Sequence, residues 1–421
     1  MKVIGGKGVE GGNSITRTSD GGILITGTTS SNDGDFEGMR KGRYDIFVIK
    51  LDTNGDVLWK KTFGGSSFDV GYSITTTSDD GILITGHTNS NDGDFKGMNK
   101  GDGDIFVIKL DRDGNVLWKK TFGGSNWDVG QSITTSPDGG ILITGETYSN
   151  DGDFKGMNKG EDDIFVVKLD KDGNLLWKKT FGGSDRDVGH SITTTSDGGV
   201  LITGYTQSND GDFEGMNKGG SEDIFVMKLD KDGNLLWKKT FGGSGDDKGY
   251  SITTTSDGGI LITGKTSSND GDLKGKNKGG GDIFVMKLDR EGKVLWKKTF
   301  DGSLDELGYS INTEDGGVLI TGRTESNDGD FQGMNKGSDD IFVIKLDRDG
   351  KVLWKKLFGG SGEDSGLSIT TTSDGGVLIT GWTYSNNGNF KGMNKGPDDI
   401  FVIKLDKDGN LNTKGKKSKK K

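Results

Sequence analysis

The chain has no cysteine, two prolines and two histidines among its 421 residues. Without thiols there are no disulfides, no thiolate nucleophile and no cysteine-held metal. His87 and His190 are too few for a histidine metal centre, and both fall where the sequence is least regular, so neither a metal triad nor a Ser-His-Asp arrangement is expected. Apolar residues make up 29%, and no run is long enough to span a membrane. Helical periodicity is missing as well, so no glycine-rich phosphate loop leads into a helix. Net charge is −10, and with the six lysines of the tail from Lys414 to Lys421 set aside the body stands near −16. A body of that sign is unsuited to gripping nucleic acid through its phosphates.

What is abundant is glycine, 77 residues of it, and repetition. The tetrad Asp-Ile-Phe-Val begins at Asp45, Asp104, Asp163, Asp223, Asp282, Asp340 and Asp399, at intervals of 58 to 60 residues. Seven copies of one unit predict a single closed array over residues 1–413, followed by a flexible lysine-rich tail over 414–421. In the second copy, Ser73 to Thr77 is β-branched and ends at the turn Ser78-Asp79-Asp80-Gly81. Ile82 to Gly86 is a short apolar run that fits a strand buried on both faces. Ile105 to Leu110 follows, then the turn Asp111 to Asn115, then Val116 to Phe122. Four antiparallel strands per copy and seven copies predict an all-β, seven-bladed β-propeller. The last copy starts its fourth strand at Asn410 but lacks the tryptophan of the other six, while Met1 to Gly6 matches the second half of that strand. The N-terminal strand is therefore expected to complete the last blade and close the ring.

The run T-S-D-G-G, T-G, S-N-D-G-D, K-L-D-x-D-G-N, W-x-K-T and G-G-S resembles the repetitive β-propeller proteins of bacterial and archaeal cell surfaces over residues 1–413. The L-D-x-D-G-N-x-L-W piece alone also looks like quinoprotein-type propeller repeats. The resemblance implies a propeller with exported or surface-attached relatives, and no settled activity. Met1 leads straight into repeat sequence, so an extracellular or cell-surface protein would have lost its signal from this chain.

In a propeller the short turns share one face and the long connections the other. The short-turn face is nearly the same in every copy, whereas the long-loop face differs. The residue after Thr-Gly is Thr28, His87, Glu146, Tyr205, Lys265, Arg323 and Trp382 in turn. Two positions on stand Ser30, Asn89, Tyr148, Gln207, Ser267, Glu325 and Tyr384, on the same side of the strand end. Before the first strand come Asn13, Tyr72, Gln131, His190, Tyr250, Tyr309 and Leu367, and the inter-blade loops add Phe68, Trp127 and Arg186. Aromatic and charged types concentrated on one face suit recognition, against the reading that these are tolerant, solvated positions. Tyr205, Trp382, Tyr148, Tyr384, Trp127 and Arg323 are the expected anchors, with Tyr72 beside them.

The Asn-Asp-Gly-Asp loop offers paired carboxylates: Asp33 and Asp35, Asp92 and Asp94, Asp151 and Asp153, Asp210 and Asp212, Asp270 and Asp272, Asp328 and Asp330. Such pairs fit either a calcium loop or a structural Asx turn. Against calcium, the motif has no third acid and the seventh copy reads Asn387-Gly388-Asn389. The acidic residue of each inter-blade loop, from Glu10 and Asp69 to Asp364, could supply a ligand or cap the backbone of Gly-Gly-Ser. Asp45 and its equivalents, and the six outer tryptophans from Trp59 to Trp354, read as contacts between blades. No carboxylate pair is singled out for glycosidase chemistry. The sequence thus predicts a monomeric, non-catalytic module binding a protein or glycan on its long-loop face, without a cofactor other than possible calcium. A structural spacer or surface-layer element is the alternative, and a calcium-stabilised multivalent lectin a lesser one.

Overall fold

The computed structural model describes residues 1–411 apart from 275–276, 278 and 315–316; the lysine-rich tail lies outside the described residues. Seven four-stranded antiparallel sheets form the predicted propeller. In the second blade the strands run Asp69–Thr76, Ile82–Thr88, Asp104–Leu110 and Val116–Phe122, each hydrogen-bonded to the next. First strands pack on the first strands of both neighbours, which places them around the axis, and that of the first blade packs on that of the seventh. The ring is closed.

The alternation of the second strand explains how the blades stack. Ile82 and Ile84 point back into a layer with Leu24, Ile46 and Val48 of the first blade, while Leu83 points forward into a layer with Ile141 and Ile143 of the third. Each apolar layer thus belongs to two blades, so no sheet can bury its faces alone. The Gly-Asp-Phe of the long loop, Gly-Asp-Leu in the fifth copy and Gly-Asn-Phe in the seventh, forms one 3₁₀ turn whose apolar residue enters the layer: Phe95 is fully buried with its ring centroid 5.5 Å from that of Phe106.

Two repeated contacts lock the axis and the short-turn face. Each first strand carries a bulge after its glycine, as between Gly71 and Ser73. Beyond it the serine accepts an N–H from the next blade: Ile74 donates to Ser14 at 3.3 Å, Ile133 to Ser73 at 3.2 Å, and Ile15 to Ser368 at 3.1 Å across the closure. On the short-turn face the buried Lys109 ammonium meets Asp79 of its own blade at 3.1 Å and the Lys171 carbonyl of the next blade at 3.3 Å. The outer tryptophans lie between blades as expected. Gly114, at φ 82°, turns over the Trp59 ring so closely that a Cβ would sit 3.1 Å from it.

The last blade takes its fourth strand from the N-terminus: Lys2–Ile4 pairs with Asp399–Leu405, Ile4 facing Ile400. Ile4 enters the layer between the seventh and first blades with Ile400, Ile25 and Phe47. Removing Met1–Gly6 strips that strand, the two core side chains Val3 and Ile4 and two turn donors, and is expected to cost about 3 kcal/mol or more. A thermal melt of the deletion checks this; an unchanged melting temperature would refute the clasp.

Candidate functional site

The Gly-Gly-Ser turn between blades presents four consecutive N–H groups, and side chains of the following blade accept all four. Gly64 donates to Asp94 at 2.9 Å, Gly65 to Asp69 at 2.9 Å, Ser66 to Asp92 at 2.7 Å and Ser67 to the Ser90 hydroxyl at 3.0 Å. Both glycines are needed for the approach: a Cβ on Gly64 would lie 2.3 Å from Asp45 and one on Gly65 2.1 Å from Asp92. Asp69 also accepts from the hydroxyls of Thr88 and Ser90. In the closing turn, Gly5, Gly6 and Lys7 donate in the same way to Asp35, Glu10 and Asp33.

This assigns the Asn-Asp-Gly-Asp loop a different task from an Asx turn. The 3₁₀ turns have no side-chain cap, because the carboxylates reach the preceding blade instead. The second aspartate of the pair also receives a lysine from that blade, Lys41 to Asp94 at 2.5 Å and Lys100 to Asp153 at 2.6 Å. In the seventh blade, Asn389 accepts from Gly359 at 3.1 Å and from Lys336 at 2.6 Å, and Asn387 from Ser361 at 2.7 Å. An amide oxygen serves N–H donors as well as a carboxylate does. Among the described residues no group of three or more His, Cys, Asp or Glu is placed to hold a metal ion.

The variable residues stand where the strands leave this girdle. The bulge turns Asn13, Tyr72, Gln131, His190, Tyr250, Tyr309 and Leu367 toward the axis, all half-buried. Several touch across blades: the His190 ring lies 5.2 Å from Tyr250, and Tyr250 lies 5.5 Å from Tyr309. The residues after Thr-Gly sit deeper than a contact surface requires. His87, Glu146 and Tyr205 are about 5% exposed, since the second strand is sandwiched between neighbouring blades. His87 is held between the rings of Tyr72 and Trp127, 5.6 and 4.8 Å away. Burial pushes its pKa down to about 4 and that of His190 to about 3, with Lys248 and Arg186 adding to the latter. Burial pushes Glu146 up to about 8, against hydrogen bonds from Gln131. Thr28, Lys265, Arg323 and Trp382 are half-buried.

The exposed aromatics lie one step outward. Phe68, Trp127 and Tyr148 are 37% exposed and Tyr384 47%. They belong to one rim because the Tyr148 N–H donates to the Trp127 carbonyl at 3.1 Å, as Tyr384 does to Glu363 at 2.9 Å. Tyr44, not singled out from the sequence, stacks on Phe68 at 5.4 Å. The residue before each third strand was likewise overlooked: Asp162, Glu222, Asp339 and Asp398 join the rim, and their variability between copies was the signal. Of the residues expected as anchors, Trp127, Tyr148 and Tyr384 are exposed, while Tyr205 lies beneath the surface.

No protein-family model matches the chain. It is similar to an uncharacterized WD repeat-containing protein of Acanthamoeba polyphaga mimivirus, 22% identical over 476 residues that take in 86% of this chain and 34% of that one. It is also similar to the regulatory protein FlaEY of Caulobacter vibrioides, 24% identical over 385 residues, 80% of this chain and 40% of that one. The chain spans a third to two fifths of the length of these curated relatives. Of solved structures, the Pan2 WD40 domain of Neurospora crassa superposes with a TM-score of 0.50 at 12% identity, covering 94% of this chain and 88% of that one. A puromycin hydrolase does so with a TM-score of 0.52 at 11% identity, covering 97% and 53%. These likenesses establish the seven-bladed propeller with WD-repeat-like relatives, and at such identities the solved structures speak for the fold alone.

Two predictions follow from the girdle. Because N–H and ammonium donors already face the paired carboxylates, chelator is expected to leave the melting temperature unchanged, and Asp92→Asn to be tolerated as Asn387 is. Chelator-sensitive melting restored by calcium would instead support metal loops. The second concerns pH. Burial pushes Asp104 and Asp340 up to about 6, and Asp163 and Glu306 up to about 7. A carboxyl raised in the folded state stabilises below its ordinary value near 4, and that contribution is lost as pH rises through 6 to 7. The two depressed histidines act oppositely, stabilising above about 6.5 and losing this as pH falls toward 4. The carboxyls outnumber them, so melting temperature should fall from pH 5 to pH 8; a rise would contradict the assignment.

Proposed function

We propose that the protein is a non-catalytic interaction module that binds a protein partner across its long-loop rim. The observation carrying this reading is the division of labour among the seven copies. Residues that hold neighbouring blades together are nearly constant among the copies, while the rim changes from copy to copy and includes exposed Trp127, Tyr148 and Tyr384. An uneven rim suits one asymmetric partner, and exposed aromatics carry much of the energy of such contacts. A repeating lectin would need the same pocket in each blade. The curated relatives' names, a WD repeat-containing protein and a regulatory protein, are in keeping with an interaction role. No enzyme activity and no cofactor enter this proposal, and calcium is assigned no part. A monomeric ring at a cell surface or outside the cell is the setting proposed, on the resemblance of the repeats.

Screening the labelled ring on protein and glycan arrays tests the proposal. Trp127→Ala with Tyr384→Ala is expected to weaken the binding found by about 2 kcal/mol while leaving the melt unchanged. Binding indifferent to the rim, or a stoichiometry of seven equivalent ligands per ring, would point to the repeated loops and against this reading. A ring without any ligand would favour the structural spacer.

A further inference from the structure

Four copies carry an acid immediately before the third strand, and three of these acids are met by a cation of the same chain. Arg186 lies 2.6 Å from Asp162, Lys248 lies 2.8 Å from Glu222, and Arg323 lies 2.9 Å from Asp339. The fourth is Asp398. Among the described residues no lysine or arginine forms an ion pair with it; its Oδ1, like those of Asp162 and Asp339, is buried without a hydrogen-bond partner, so the missing cation is what sets it apart.

The seam between the fourth and fifth blades shows what completes such a place. There the Lys248 ammonium sits 4.5 Å from the centre of the Tyr205 ring while it pairs with Glu222, so one cation is held by an aromatic face and a carboxylate. The seam between the seventh and first blades repeats this frame. Trp382 stands at the register of Tyr205, each opposite an isoleucine of the third strand. Asp398 stands at that of Glu222. Gly11 stands at that of Lys248, opposite Thr28 as Lys248 is opposite Lys265. The lysine is missing and its space is open: a Cβ on Gly11 would have only Asn13 Oδ1 within 4 Å, at 3.6 Å. Trp382 is correspondingly half-buried where Tyr205 is 4% exposed. Tyr384 meets Trp382 edge-on at 5.9 Å and turns its hydroxyl to Asp398. No other seam combines an aromatic with an acid at these two registers.

We propose that Trp382 and Asp398 form a slot for a primary ammonium group, filled by a lysine side chain of the partner. The protein source of that lysine rests on the recognition reading above; the slot itself rests on the intramolecular template. The ammonium packs on the indole face and pairs with Asp398, as Lys248 does in its own seam, and the Tyr384 ring forms one wall.

The test titrates the whole protein with Nα-acetyl-lysine methylamide and follows the Trp382 indole N–H resonance, assigned through Trp382→Phe. A saturable shift is expected, absent with the acetyl-norleucine analogue and weakened about tenfold or more by Asp398→Asn. Gly11→Lys should abolish it by filling the slot from within, and the other indole signals report whether that variant folds. No saturable shift, one that persists in Gly11→Lys, or one of undiminished affinity in Asp398→Asn, would overturn the slot. If the probe fails while partner binding still depends on Trp127 and Tyr384, the slot falls and the recognition reading stands. If the probe binds but partner binding ignores the rim, the recognition reading falls, and with it the protein source of the lysine.

Discussion

Everything in this ring depends on four backbone N–H groups. Wherever the chain passes from one blade to the next, the turn at Gly64 to Ser67 and its equivalents points consecutive donors at the following blade. The Gly65 donor is buried, where a bond left unmade costs about 1–3 kcal/mol, and those of Gly64 and Ser67 are half-buried, so each turn is met by acceptors at fixed places. Two aspartates of the long loop, the acid opening the next first strand and a serine provide them. The glycines let the acids approach, and the seam serines and short-turn lysines repeat the logic at the axis and on the opposite face. Since every apolar layer is shared between two blades, these links and the layers form together.

That constraint explains where variation is possible. The residues in the girdle are committed to neighbours on both sides, and a changed acceptor in one copy would strand a donor in the turn before it. The rim beyond it repeats backbone contacts, such as the Tyr148 N–H to the Trp127 carbonyl, which leave the side chains free to vary. Chemistry differs there from blade to blade: imidazole between two rings at His87, an acid whose pKa burial raises at Glu146, a lysine over Tyr205, an arginine against Asp339. The scaffold is sevenfold while its face is singular.

Much of this was legible in the chain. The spacing of Asp-Ile-Phe-Val gave the number of blades, the apolar run at Ile82 to Ile84 its burial on both faces, and the incomplete last copy its N-terminal clasp. Local pattern could not decide the Asn-Asp-Gly-Asp loop, because two carboxylates across a glycine look the same whether they face a cation or N–H groups. Their donors lie about thirty residues away in the preceding turn, Gly64 to Asp94, and only the fold brings them together. Tyr205 shows a second limit: a spacing of two residues tells which side a side chain takes, not how deep the strand end sits. The fully buried Phe95 and the double role of Lys109 escaped for the same reason, since both act across distances the repeat does not reveal.

The claim that the girdle builds the ring and the rim is free to recognise is tested most directly by the unfolding free energy of one ring carrying serine at Phe68, Trp127, Tyr148 and Tyr384 together. Surface positions without a structural task change stability by only about 0.5 kcal/mol each. The account predicts a ring that unfolds with a free energy close to the parent's. A loss of several kcal/mol would show that these aromatics hold the propeller together, and would contradict the division between girdle and rim.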